Sequence, residues 1–421
     1  MTRVTKSSTK GNNDMADPRR IVIVGTGLAG ASAAGALREQ GYDGEVLLIG
    51  EQRYRPYELP ALSKSILLGD ADEPDWVHEE KFYDEKNIDL RLKTRVGAVH
   101  LGDRTVEVDG NQESWDRLLL ATGSTPRRLR IPGADFDNVW RFRRLDDARK
   151  LRKELTEGRN VVIVGAGWIG CEVAAAARKH GANVTVVDPL PQPLHRVLGD
   201  TVSGVFRAMH EAQGVTFKLG TGVVEYLGAD GVATAVRLED GTEVPADLVL
   251  VAVGARPRTE LAHDMGLEMS EGGGLDVDAS LRTSAPDVYA AGDIAAHFHP
   301  RYGHRVRVEH WANAKDQGTH AAKSLLGAGE PYLASPYFFS DQYDLGLEYR
   351  GLADPVSDEL VVRGDLAARE FTAFWLREGA VQAAMNVNMW DDGDALQALV
   401  EAQARVAPAK LVDGDLASLV G

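Results

Sequence analysis

Residues 20–30 read Arg20-Ile21-Val22-Ile23-Val24-Gly25-Thr26-Gly27-Leu28-Ala29-Gly30, and residues 160–170 read Asn160-Val161-Val162-Ile163-Val164-Gly165-Ala166-Gly167-Trp168-Ile169-Gly170. In each stretch a short apolar, β-branched run meets a Gly-x-Gly-x-x-Gly turn, and a small-residue helix follows. The first helix is expected over 31–40 and closes at Gly41; the second runs to Lys179 and stops near Gly181. Each helix leads into another apolar strand, 45–49 ending at Gly50-Glu51 and 183–187 ending at Asp188. Strand, glycine turn, helix and strand make a βαβ unit. Its recurrence about 140 residues further on is an internal duplication, two mononucleotide-type folds in one chain.

The chemistry of the turns follows from the backbone. The first glycine permits the tight turn, the second lets the chain approach a pyrophosphate, and the third lets helix pack closely on strand. The helix N-terminus meanwhile offers free N–H groups and its positive dipole end. A lone copy also closes ordinary βα units, but here both copies are trailed by a carboxylate at the end of the next strand. Glu51 follows Gly30, and Asp188 follows Gly170, at close to the ~20-residue spacing of a ribose-binding acid. Asp188 would accept hydrogen bonds from an adenosine ribose and repel a 2′-phosphate, and Pro189 and Leu190 bring no arginine to neutralise one. NADH is therefore expected over NADPH.

Elsewhere, Asp109-Gly110 and Asp240-Gly241 stand between alternating segments and read as hairpin turns. Each leads into an apolar strand with a small-residue ending, Ala121-Thr122-Gly123 in one case and Gly254 in the other; a third such ending is Gly292-Asp293. From about residue 330 the chain turns aromatic-rich, with strands expected over 336–343 and 370–376 before a helical terminus. Residues 1–17 read as a disordered leader, with Met15 a candidate natural start. The expected organisation is α/β: a discontinuous first dinucleotide-binding domain over 18–125 and 255–328, a second, for NADH, over 126–254, and a C-terminal α+β domain over 329–421.

Composition narrows the chemistry. At 421 residues, two or three domains are expected, and 44% hydrophobic with 26% charged residues suits packed cores. A net charge of -16 disfavours nucleic acid and anionic membrane partners. No run approaches the ~20 apolar residues of a membrane span, and no signal peptide is visible. Cys171 is the single cysteine, so an intrachain disulfide, a CxxC pair and a multi-cysteine metal site are impossible, and no metal ligand set is expected. A cytoplasmic location fits, and any redox chemistry must run on a bound cofactor.

The chain resembles the FAD-dependent, NADH-linked ferredoxin reductases of oxygenase systems, a family that takes in putidaredoxin reductase, rubredoxin reductases and dioxygenase reductase components. The resemblance spans residues from about 20 to about 376. It rests on Arg55-Pro56-Tyr57-Glu58-Leu59-Pro60-Ala61-Leu62-Ser63-Lys64, Ala121-Thr122-Gly123-Ser124-Thr125-Pro126 and the second glycine turn with Cys171-Glu172. Ala291-Gly292-Asp293 and Phe338-Phe339-Ser340-Asp341-Gln342-Tyr343-Asp344 complete it, the last resembling the family's C-terminal signature. Departures are Leu59, where many relatives have arginine, Ala61 in place of a second proline, and Cys171 in place of an aliphatic residue.

The resemblance implies a glutathione-reductase-like architecture and a set of roles. Gly25, Gly27, Leu28, Ala29, Gly30, Glu51, Gln52, Val96, Ala121, Thr122, Gly123, Arg143, Gly292, Asp293 and Trp311 would contact FAD. Gly165, Gly167, Trp168, Ile169, Gly170, Asp188 and Gly254 would serve the nicotinamide nucleotide. Lys64 would lie beside the flavin and pair with Glu172, the two residues closest to the chemistry. The implied acceptor is a [2Fe-2S] or similar ferredoxin feeding a cytochrome P450 or Rieske-type oxygenase, and the implied assembly is a monomer or weak dimer. A local basic surface for an acidic ferredoxin is sought among Arg127, Arg128, Arg130, Arg301, Arg305 and Arg307. The alternative is an FAD/NADH-binding sensor of the apoptosis-inducing-factor type. Dithiol-dependent disulfide reductases are excluded by the cysteine count, and nothing in the first helix region supplies the cysteine of an NADH oxidase or peroxidase.

Overall fold

The computed structural model describes residues 18–420; the expected leader at 1–17 and its Met15 lie outside the described residues. Five parallel strands form the first sheet, in the order Val288–Ala290, Arg117–Leu120, Arg20–Val24, Glu45–Ile49 and Ile88–Arg91. Its centre is apolar and buried on both faces, as a parallel sheet covered by helices requires. The edge strand comes from far along the chain, with Val288 in register with Leu118.

The second sheet repeats the plan: Val215–Leu219, Asn183–Asp188, Asn160–Val164, Leu248–Val251 and Val139–Arg141, again all parallel. The chain crosses between the two halves twice, and the crossings Ser124–Pro126 and Ala255–Pro257 pair antiparallel. A third sheet is antiparallel, in the order Tyr337–Gln342, Leu345–Gly351, Ala380–Val387, Glu370–Arg377 and Glu359–Asp365, with helices Gly393–Glu401 and Pro408–Asp413 packed on it. The architecture is two Rossmann-like units and a C-terminal α+β layer, as the duplication and the aromatic tail predict.

Two helices start at the glycine turns, Leu28–Glu39 and Trp168–Lys179. The first begins earlier than the expected 31, because the turn's last residues already belong to it. It packs tightly against helix Trp311–Leu325: a methyl group added at Gly318 would collide with the Ala29 carbonyl oxygen. Of the hairpins, the first has positive φ at both Asp109 and Gly110 and joins Thr105–Val108 to Asn111–Ser114 directly. The second is looser. Asp240 is not left-handed, Leu238 N–H donates to Thr242 O, and a longer loop results.

The C-terminal sheet does not stand apart. Cys171, Leu198, Phe206, Phe338, Tyr349 and Trp375 share one apolar cluster that joins the second glycine-turn helix, helix His195–Ala212 and the third sheet. Burying such aromatics on both sides of a junction holds the layers together. Among the described residues no helix is long and apolar enough to cross a membrane, and no group of histidine, cysteine and carboxylate residues could hold a metal.

Candidate functional site

Both glycine turns are built to receive an anion. Gly25 (φ 126°) and Gly165 (φ 109°) cross beneath a neighbouring loop so closely that a Cβ would strike Ala121 or Ala252. A Cβ at Gly30 or Gly170 would strike the carbonyl oxygen of Gly25 or Gly165. Gly27 and Gly167, by contrast, face open space: only Gln52 Nε2 comes within 4 Å of a Cβ at Gly27, and nothing does at Gly167. Neither helix has a side-chain cap or an acidic residue in its first turn. The first-turn N–H groups at Leu28, Ala29 and Gly30, and at Trp168, Ile169 and Gly170, are thus left to an external acceptor. Beside these turns, the buried Thr26 Oγ1 and Gln52 Oε1, and the buried Trp168 Nε1, have no partner within the protein. Two dinucleotide pyrophosphates fit these cradles.

The strand-end carboxylates are already engaged. Asp188 Oδ2 accepts from Ala166 N–H and Oδ1 from Leu190 N–H, both at 2.8 Å, so this residue braces the glycine turn. Each oxygen keeps a second lone pair for a ribose. Glu51 takes an ion pair from Arg258 at 2.6 Å and a longer one from Arg95 at 3.4 Å. Arg258 is tied in turn to the first unit, its carbonyl oxygen accepting from Thr122 Oγ1 and its N–H donating to Gly123 O. Gly123 and Gly254 have positive φ (69° and 91°) with open space where a Cβ would point. Ala121 is buried beside Gly25. Val96 differs from the rest: its side chain is 6% exposed within the first apolar core, so only its backbone can meet a nucleotide.

Asp293 is 7% exposed and lies in the turn Gly292–Ile294. Its Oδ2 accepts from Ser124 Oγ at 2.6 Å and from Arg143 Nη2 at 2.8 Å. The structure thus joins two residues that the sequence reading treats separately, and adds Ser124, which that reading quotes only as part of a motif. Gly292 (φ 79°) lets this turn pass close to Ala29, and its N–H donates to Gln317 Oε1. Trp311 opens the helix Trp311–Leu325; its Nε1 donates to Glu58 Oε2 at 2.7 Å and its ring meets Phe339 edge-on at 6.2 Å.

At the junction of the three sheets stands the Lys64–Glu172 pair, Nζ to Oε1 at 2.8 Å. Lys64 breaks a wide π-type turn, Leu62–Ile66 (Lys64 φ -112°, ψ -109°), a local irregularity of the kind that re-aims a side chain. Its ammonium also lies 5.2 Å from the Phe339 ring centroid. Glu172 is 5% exposed and accepts two further bonds, from Ser63 Oγ and, at 2.7 Å, from Ser340 Oγ. Three donors from two segments, the turn Leu62–Ile66 and the strand Tyr337–Gln342, satisfy a carboxylate that burial would otherwise penalise heavily. Ser63 and Ser340 are missing from the sequence-derived residue set. Strand alternation was the available signal for Ser340, which lies on one face with Phe338 and Gln342.

Cys171 is fully buried and burial pushes its thiol pKa up, so it acts as a packing residue. One expectation changes. The basic surface is only partly formed. Arg305 is paired with Asp276, Arg307 with Glu309 and Arg128 with Asp135, while Arg301 donates to Ser335 Oγ and Arg127 to Ala255 O. Three of these charges are offset by carboxylates beside them, whereas Arg301 and Arg127, bonded to neutral oxygens, keep theirs.

Comparison with known proteins agrees with this geometry. The pyridine nucleotide-disulphide oxidoreductase family matches residues 19–318, and a reductase C-terminal family matches residues 337–419. The ferredoxin--NAD(+) reductase component of the anthranilate 1,2-dioxygenase system of Burkholderia cepacia is 40% identical over 404 residues, covering 94% of this chain and 97% of the relative. Putidaredoxin reductase of Pseudomonas putida is 37% identical, covering 87% and 88%. The crystal structure of the ferredoxin reductase for the CYP199A2 system from Rhodopseudomonas palustris superposes with a TM-score of 0.91 at 34% identity, covering 96% of this chain and all of that one. The reductase in a covalent putidaredoxin reductase–putidaredoxin complex does so with the same TM-score at 35% identity, covering 96% and 98%. With two uncapped glycine turns, a buried lysine–glutamate pair between them and a matched C-terminal layer, this chain belongs to the pyridine nucleotide-disulphide oxidoreductase family.

Proposed function

We propose that this protein is an NADH-dependent, FAD-containing ferredoxin reductase, an oxidoreductase that passes electrons to an iron–sulfur ferredoxin serving a cytochrome P450 or Rieske-type oxygenase. The observation that carries the reading is the Lys64–Glu172 pair: an element of the first nucleotide unit meets the N-terminal half of the second unit's glycine helix. The names of the relatives, all reductase partners of ferredoxins or of oxygenase systems, point the same way.

When bound, FAD takes two electrons with hydride from NADH and gives them up singly, chemistry that no side chain here could supply. The protein's part is position and charge. N–H groups of the turn ending at Gly30 hold the flavin nucleotide's pyrophosphate, and those of the turn ending at Gly170 hold that of NADH. Glu51 and Gln52 face the flavin adenosine, while Asp188 accepts from the NADH ribose and turns away a 2′-phosphate. Asp293, steadied by Arg143 and Ser124, binds the ribityl–phosphate region. Lys64 places positive charge beside the ring where electrons accumulate, and Glu172 holds that ammonium still. Trp311 and Phe339 screen the site from water. With no second cysteine, electrons leave straight to an external carrier. That carrier is a [2Fe-2S] or similar ferredoxin, met by a cytoplasmic monomer or weak dimer. The domains fall at 18–125 with 255–328, at 126–254, and at 329–421.

Stopped-flow reduction of the purified protein by NADH and by NADPH tests the reading, followed by cytochrome c reduction with and without ferredoxins. Fast bleaching by NADH and a ferredoxin-dependent rise in turnover are expected. If bleaching occurs but no ferredoxin ever raises turnover, the sensor alternative replaces the reductase.

A further inference from the structure

A chain of side chains leads away from Glu172 into the C-terminal layer. Ser340 Oγ lies 2.7 Å from Glu172 Oε1, and Gln342 Nε2 lies 3.1 Å from Ser340 Oγ. His210 Nε2 lies 2.8 Å from Gln342 Oε1, and Tyr343 OH lies 3.1 Å from His210 Nδ1. Ser340, Gln342 and His210 are 1%, 1% and 0% exposed, so water does not compete with these bonds. His210 sits on helix His195–Ala212 of the second unit, whereas the others belong to the first strand of the third sheet or the turn after it.

The direction of every bond is fixed by what each atom can do. The Glu172 carboxylate only accepts, so Ser340 must donate to it. Ser340 Oγ is then the acceptor for the Gln342 amide nitrogen, which only donates. Gln342 Oε1 only accepts, so His210 must carry its proton on Nε2. Burial pushes the His210 pKa down to about 4, which keeps the ring neutral and leaves Nδ1 bare to accept from the Tyr343 hydroxyl. All four donors therefore point the same way, toward Glu172, and bonds so aligned polarise one another. An amide in the middle makes this a poor proton wire and a good orienting device.

We propose that Ser340, Gln342 and His210 are positioning residues: they hold the Glu172 carboxylate, and through it Lys64, in the orientation that nicotinamide and flavin require. The C-terminal layer thereby becomes part of the nicotinamide site without touching the nucleotide. This rests on the reductase reading above, which places Lys64 and Glu172 beside the two rings.

The test uses the flavin-loaded full chain and reads the NAD+ dissociation constant by flavin absorbance, the flavin midpoint potential, and the thermal midpoint. Ser340→Ala should weaken NAD+ about tenfold, the size of one hydrogen bond to a charged group, and should shift the potential. His210→Phe should weaken it about threefold, and His210→Gln, which can still donate to Gln342, should return to within about twofold of the parent. In the double variant with Ser340→Ala, the His210→Phe effect should disappear, since unlinked sites this far apart would act independently. Should His210→Phe fail to fold, Tyr343→Phe probes the outer end of the chain, and its smaller effect must likewise vanish in the Ser340→Ala background. Independent effects in the double variant, or a lowered thermal midpoint with unchanged affinity and potential, overturn the proposal. A parent protein that binds flavin but shows no response to NAD+ overturns the underlying reading instead.

Discussion

Lys64 Nζ lies 2.8 Å from Glu172 Oε1 although 108 residues of chain separate them, and the contact joins one nucleotide unit to the other. Lys64 is held out of regular helix to reach it, and its side chain is 16% exposed. Because each charge answers the other, neither can be removed without exposing the cost of burying its partner.

Glu172→Ala should therefore cost roughly 3–5 kcal/mol in urea unfolding, since it leaves a lysine and two hydroxyls facing no acceptor. Replacing both partners with apolar residues (Lys64→Met with Glu172→Leu) should recover the part of that loss due to the unpaired lysine, the two hydroxyls still lacking an acceptor, while reduction by NADH stays at least ~10-fold slow. Recovery of both stability and rate in the double variant would show the pair to be structural only.

Gly30→Ala and Gly170→Ala should separate the two nucleotides. Each methyl would collide with a carbonyl oxygen of its own turn. The first variant should purify colourless; the second should stay yellow but fail to bleach with NADH. Flavin content by absorbance and a stopped-flow trace decide both.

Asp188→Ala should narrow the preference for NADH over NADPH by at least ~10-fold in kcat/KM, because the charge that repels a 2′-phosphate goes. It should also cost about 1–2 kcal/mol, because Ala166 and Leu190 N–H groups lose their acceptor. A preference that does not move would remove Asp188 from the specificity argument.

Cys171 should resist alkylation in the native protein and react only on unfolding, since its thiol is fully buried and its pKa raised. Mass spectrometry after a thiol reagent reads this directly. Cys171→Ala should keep turnover within about twofold, as expected of a packing residue.

Acid should destabilise the fold before it protonates most carboxylates. Burial lowers the pKa of His210 and His297 from 6.5 to about 4. Between those values the unfolded chain binds protons that the folded one refuses, so stability falls as pH drops from about 6.5 toward 4. Each histidine contributes roughly 1 kcal/mol per pH unit across that window. Urea midpoints at pH 7 and pH 5, in the parent and in His297→Gln, measure the slope; equal slopes would rule out His297.

The sequence alone determined the two glycine turns, their strands and helices, the carboxylates at the strand ends and the lack of a dithiol. These are legible because a tight turn, a helix start and a period-2 strand are set by residues within a few positions of one another. The Lys64–Glu172 pair came from resemblance, and the structure then placed it. Only the tertiary structure decided that Ser63 and Ser340 complete Glu172, that Ser124 and Arg143 share one Asp293 oxygen, that Val96 turns into a core, and that three of the six arginines sought as a docking face are ion-paired. Most of these depend on contacts between segments far apart along the chain. Strand alternation could put Ser340 on a buried face, but not name the carboxylate 168 residues away that it serves, because that partner is chosen by packing and not by neighbours along the chain.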